Sequence, residues 1–228
     1  MKINKIAIVI VSLFAAPLAH AQYYWFGPAG VGPYFRADIG PTFFQDGEIK
    51  GYNVSGTFND PPGRVNYNVG ASADGAFGWA FNKYVSLDGE FGYIWGSLNN
   101  AQNYDPNGST LDNAPFLANV ILSLPIPHSN IVPYIGGGLG GSDSIFDAHH
   151  FTDPAGNYAD GSESDVVFAW QVVAGVRFML TPNFSLGVGY QFFATGNPTF
   201  SYPPYPNLNA EFQGVRTHSI MFSLRANF

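Results

Sequence analysis

A few groupings in this chain have residue types that do chemistry. Asp147, His149, His150 and Asp153 gather imidazole and carboxylate donors in one short stretch. Such donors suit zinc or copper. Adjacent histidines chelate one ion poorly, however, and no helical spacing supports them. A solvated acidic segment is the expectation, and no metal or other cofactor is expected. His218-Ser219 pairs a base with a nucleophile, two of the three groups that a Ser-His-acid hydrolase needs on one face. Neighbours on a strand point to opposite faces, so the two are not expected to cooperate and no catalytic residue is assigned. Gly136 to Gly141 fits the G-x-G-x-x-G pattern. A dinucleotide site needs a helix to follow, and none is readable here. The remaining grouping is dispersed: Arg36, Asp38, Asp74, Asp88, Glu90, Arg177 and Arg225, with Gln171 and Gln191, each between apolar neighbours. Four acids and three bases brought into a confined space should pair, because an unpaired buried charge is costly.

What could position those charges is an alternation of period two. In Val85–Trp95 one face carries Val85, Leu87, Phe91, Tyr93 and Trp95, and the other Ser86, Asp88 and Glu90. Phe184–Phe192, Phe168–Leu180 and Ser219–Phe228 repeat the pattern. Segments around Phe35–Ile39, Tyr67–Phe81, Phe116–Leu124 and Tyr134–Gly140 follow it less cleanly, with Leu117 and Ile121 blurring one of them. That makes eight strands. Most are about ten residues long, the length at which a tilted strand crosses a bilayer.

Composition selects the surroundings. Of 228 residues, 46% are apolar, 17% aromatic and only 11% charged, against about 25% charged in ordinary soluble domains. Mean hydropathy is nevertheless +0.02, and no apolar run approaches the ~20 residues of a spanning helix. A net charge of −7 disfavours nucleic acid. The absence of cysteine removes disulfides and thiolate metal sites. A face of Gly, Ser, Asn, Asp, Glu and Arg cannot drive folding in water. It fits the inside of a barrel whose outside meets hydrocarbon, with every backbone polar group paired around the closed sheet. Aromatics near strand ends (Trp79, Phe81, Tyr84, Trp95, Phe178, Phe184) would then form interfacial girdles.

Lys2 and Lys5, the apolar run Ile6–Phe14 and Ala19-His20-Ala21 form a signal-peptide pattern, so residues 1–21 are expected to be removed and 22–228 to form the barrel domain. Turns alternate in length. Asn82-Lys83, Pro125–Asn130 and Thr181–Asn183 are short; Gln45–Gly63, Ser97–Asn113, Ser142–Asp165 and Thr195–Gln213 are long and rich in Gly, Pro, Asn and Asp. Short periplasmic turns, long extracellular loops and both termini in the periplasm are the corresponding expectation. The first and last strands, carrying Arg36 and Arg225, must meet where the barrel closes, with Asp88 and Glu90 reaching across to one or both.

With these residues in view, the chain resembles the small bacterial outer-membrane β-barrel family, the group of outer-membrane protein A-like barrels, opacity proteins and related surface antigens. The resemblance lies in Tyr84–Tyr93, Pro133–Gly140, Trp170-Gln171 with Gly175, and the C-terminal strand. It implies an all-β, eight-stranded antiparallel transmembrane barrel in the bacterial outer membrane. It also implies that Ile220, Phe222, Leu224, Ala226 and the terminal Phe228 are read by the barrel-assembly machinery; Ala226 is smaller than usual in such a signal. No cell-wall-binding domain follows Phe228, so tethering to the cell wall is not expected.

The expected function is non-enzymatic: a monomer among outer-membrane lipids and lipopolysaccharide, giving envelope structure and contacting an extracellular ligand through four long loops rich in Tyr, Phe, Asn and Pro. The charged lumen is expected to be a plug, since eight strands leave an interior that side chains just fill. The alternatives are a narrow porin-like channel and, third, a lipid-A-modifying enzyme.

Overall fold

The computed structural model describes residues 31–54, 57–58, 63–102, 105–152, 158–202 and 205–228. The expected signal peptide, most of the lead-in at 22–33 and Asp153 lie outside the described residues. The strands are β1 (Gly32–Phe44), β2 (Gly47–Val54), β3 (Thr57–Phe58), β4 (Gly63–Tyr67), β5 (Gly70–Ala80), β6 (Val85–Trp95) and β7 (Leu98–Ala101). They continue with β8 (Thr110–Ser123), β9 (Ile131–Thr152), β10 (Tyr158–Thr181), β11 (Phe184–Thr195), β12 (Thr199–Tyr202), β13 (Tyr205–Phe212) and β14 (Arg216–Asn227).

Eight of these close a barrel in the order β1-β14-β11-β10-β9-β8-β6-β5, antiparallel at every step. Closure is at β1–β14, where Arg36 faces Arg225 and Asp38 faces Ser223. The alternating pattern puts its apolar face outward. Phe91 is 72% exposed and Phe222 57%, while Glu90 is 1% and Arg225 6% exposed. An exposed apolar ring around a buried polar interior is inside-out for water and right for lipid. Trp79, Phe81, Tyr84 and Phe178 stand exposed at the short-turn end, Phe184 half-buried beside them, and Trp95 is exposed at the opposite end.

The long connections differ from the irregular loops that their composition suggests. They contain a second sheet, ordered β12-β13-β2-β4-β7 with β3 paired to β2. In addition, β9 and β10 run 22 and 24 residues, about twice what crossing requires. The expected strand at Tyr67–Phe81 is broken, with Tyr67 closing β4 in this second sheet and Gly70 opening β5 in the barrel. The reason is a change of surroundings above the membrane. On β9 the inward parity runs Ser142, Ser144, Phe146, Ala148, all buried. Once the outside is water, the inside becomes apolar. Phe146 there touches the rings of Phe151, Phe200 and Phe212 at centroid distances of 5.0 to 5.6 Å. Val65, Leu98, Leu111 and Val215 complete this core, with Phe44 and Tyr67 packed against it. All four long connections thus share one apolar centre and form a dome over the barrel mouth.

Candidate functional site

The barrel interior is filled by a connected polar network. Arg36 is its cation. Its Nη2 donates to Glu90 Oε2 at 2.8 Å and lies 3.7 Å from Asp88 Oδ2, and its Nη1 pairs with Asp38. Ser223 also donates to Asp38. Tyr34 Oη donates to Asp88 Oδ2 at 2.6 Å. Asn119 Nδ2 donates to Asp88 Oδ1 (2.7 Å) and Glu90 Oε2 (2.9 Å). Gln171 Nε2 donates to Glu90 Oε1 (2.9 Å) and Asn119 Oδ1 (2.8 Å), and Gln191 Nε2 to Gln171 Oε1 (2.6 Å). The chain of bonds therefore crosses the lumen from β1 through β6 and β8 to β10 and β11.

Strand β9 contributes space to this network. Gly138 lies between Asn119 and Gln171 in register. A Cβ at Gly138 would collide with Asn119 Oδ1, so glycine lets the amide lie across the strand to Gln171. Gly136 is covered by Ile121 and Val173, and Gly175 and Gly189 by the Tyr134 hydroxyl. Gly175 and Gly189 lie on β10 and β11, and Gly187 on β11 likewise lies against Arg177.

Of the two seam arginines, Arg36 is the one that Asp88 and Glu90 reach, and Arg225 pairs with neither. Its guanidinium lies 3.5 Å above the Tyr34 ring, and its Nε donates to Asn227 Oδ1 at 3.0 Å. Arg177 lies 5.2 Å over the Tyr134 ring and donates to Ser123. Among the described residues neither arginine makes an ion pair. The physical reason is saturation: Arg36, itself in contact with three carboxylates, and the Asn119 and Gln171 amides already occupy Asp88 and Glu90. Asp74 faces Asp38 in register, and its Oδ1 is buried without a hydrogen-bond partner. Tyr34, Asn119, Tyr134 and Ser223 join the site without a charge to mark them in the sequence. Their inward parity was the available signal.

Toward the dome, Ile94, Leu117, Ala169 and Phe193 form a buried apolar layer with Phe44. Below it, a cavity of about 30 Å³ is walled by Arg36, Asp38, Asp74, Arg177 and Arg225. A vestibule of about 240 Å³ opens at the short-turn end.

The other candidates fall apart spatially. At His149 and His150 the β9–β10 ladder bulges, with register shifting between Ala159 and Gly161. His150 adopts φ 49°, and both its backbone N and its Nδ1 bond Asp160 Oδ1, at 2.7 and 2.9 Å. His149 Nε2 is 3.8 Å from Asp147. Among the described residues no group of three His, Asp or Glu side chains could hold a metal. His218 faces outward, bonded to Gln45 (2.7 Å) and Tyr190 (2.5 Å), while Ser219 faces inward onto Thr42 (2.8 Å). On β14, Ile220, Phe222 and Leu224 are exposed on the outer wall, and Phe228 N donates to Pro33 O at 2.9 Å.

The comparisons agree with this geometry. The crystal structure of Neisserial surface protein A is 18% identical, with a TM-score of 0.50 over 86% of this chain and 97% of that one. That of the outer membrane protein OprG from Pseudomonas aeruginosa is 11% identical, with a TM-score of 0.56 over 87% and 97%. At these identities the likeness is one of fold. No curated protein matches the chain. The family model described as "Outer membrane protein beta-barrel domain" matches residues 6–228. The chain belongs to this outer-membrane β-barrel family and is a protein of the bacterial outer membrane.

Proposed function

We propose that the protein is a non-enzymatic, closed barrel whose work lies at its outer surface: envelope structure and contact with an extracellular partner through the dome. The observation carrying this reading is the blocked lumen. Glu90, Asn119 and Gln171 bond one another across it, and the Phe193 layer seals it toward the dome. The dome adds a second reason. Its apolar core costs the chain a large stretch of structured sequence that a mere connector does not need. Reconstituted in planar bilayers, the wild-type protein should be silent; stable openings would overturn the closed-barrel reading. Surface contact is tested with cells displaying wild-type protein or Phe146→Ala at equal levels. Lower adhesion to host matrix by the variant supports the reading, and equal adhesion counts against it.

A narrow channel is the second reading, favoured by one observation. The central cavity and the vestibule share Arg177, Ser185 and Arg225 as walls. A polar route thus runs from the short-turn mouth to mid-barrel. On this reading Glu90→Ala would produce conductance where wild type shows little.

A further inference from the structure

We propose that the vestibule at the short-turn, periplasmic mouth is a binding site for a small oxyanion of the phosphate class. Its charge is one-sided. Lys83, Arg177 and Arg225 stand in its wall, and no Asp or Glu does. Both arginines are more than nine-tenths buried and have no carboxylate within ion-pair distance among the described residues. Burying a cation without a counter-ion is costly, so the arrangement lacks one component, an anion.

The arginines are also held as a receptor would hold them. Tyr34 and Tyr134 each support one guanidinium plane. Arg225 uses Nε on Asn227, and Arg177 one terminal nitrogen on Ser123. The remaining N–H groups are fork donors of the kind that match phosphate oxygens. Two buried hydroxyls in the same wall, Ser86 and Ser185, have no hydrogen-bond partner. Ser185 sits in register with Arg225. The vestibule has a volume of about 240 Å³ and is open toward the short-turn end. That leaves room for a phosphate group at the arginines. The phosphate could be free or carried on a phospholipid head group; the recognising chemistry is the same.

The full chain, refolded in zwitterion-free detergent at low ionic strength, is titrated calorimetrically with inorganic phosphate and, separately, with short-chain phosphatidylglycerol. Saturable binding of either is expected, and the arm that binds identifies the source. Arg225→Gln and Arg177→Gln should each weaken it about ten-fold or more, the cost of a lost charged hydrogen bond. Arg64→Gln, exposed in the dome, should leave it unchanged. Should the arginine variants fail to fold, Lys83→Gln and Ser185→Ala serve instead, each with a reduced affinity. Absence of saturable binding in both arms overturns the proposal. So does wild-type affinity in the folded Arg225→Gln variant, or in both substitutes.

Discussion

Arg36 and Arg225 are register partners across the seam where the barrel closes, yet they have different companions. Arg36 engages Asp38, Asp88 and Glu90, whereas Arg225 rests on the face of Tyr34. Of these two like charges side by side, Arg36 is compensated by carboxylates, whereas Arg225 has only an aromatic face and the Asn227 amide.

Their removal should therefore differ in cost. Arg36→Ala strands three carboxylates together and should destabilise by about 3–5 kcal/mol. Urea unfolding in lipid vesicles reads this out. Adding Glu90→Gln should recover part of the loss. A variant as stable as wild type would show that the network carries little energy.

Gly138→Val forces a side chain into the space of the Asn119 amide. Overpacking of this kind costs about 1–3 kcal/mol, and the shift should appear in the same unfolding assay. Gly108, with open space around it, should tolerate Ala better in steric terms, although its φ of 83° adds backbone strain.

Phe146→Ala removes the ring at the centre of the dome core. The loss should be about 3–5 kcal/mol locally. Limited proteolysis should then cut the long connections while the transmembrane ring keeps its heat-modifiable migration on gels. Loss of both together would mean that dome and ring unfold as one unit.

Phe91→Arg places a charge on the hydrocarbon-facing wall, and at mid-bilayer this costs about 2–4 kcal/mol. Tyr84→Arg, beside a turn at the interface, should cost about 0–1 kcal/mol. Equal penalties in a vesicle-folding assay would contradict the assigned membrane position.

The ring was legible because parity survives in single strands: Val85–Trp95 alone separates Phe91 from Glu90. Parity failed at Leu117, Ile121, Val173 and Met221, apolar residues on the inner face. A lumen closed by packing needs such residues, and alternation alone cannot distinguish them from noise. The position of Asn119 was hidden for another reason. Its role depends on Gly138 lying opposite, and register is a property of two strands. The dome was unreadable because its pairings are remote, as in Asn53 opposite Asn209. Glycine, proline and asparagine there suggested only turns. That Asp88 and Glu90 both reach Arg36 and leave Arg225 on the Tyr34 ring is not legible in the sequence, because spacing does not reveal which arginine the acids meet.

Phe146, Phe200, Phe212 and Val65 arrive at the dome from separate parts of the chain, and they meet only after every hairpin is in place. A chain missing one of these segments cannot complete that buried core, and so cannot hold the dome's outer face in its folded form. An antibody raised against it would recognise finished molecules alone, so the dome doubles as a visible certificate of completed insertion.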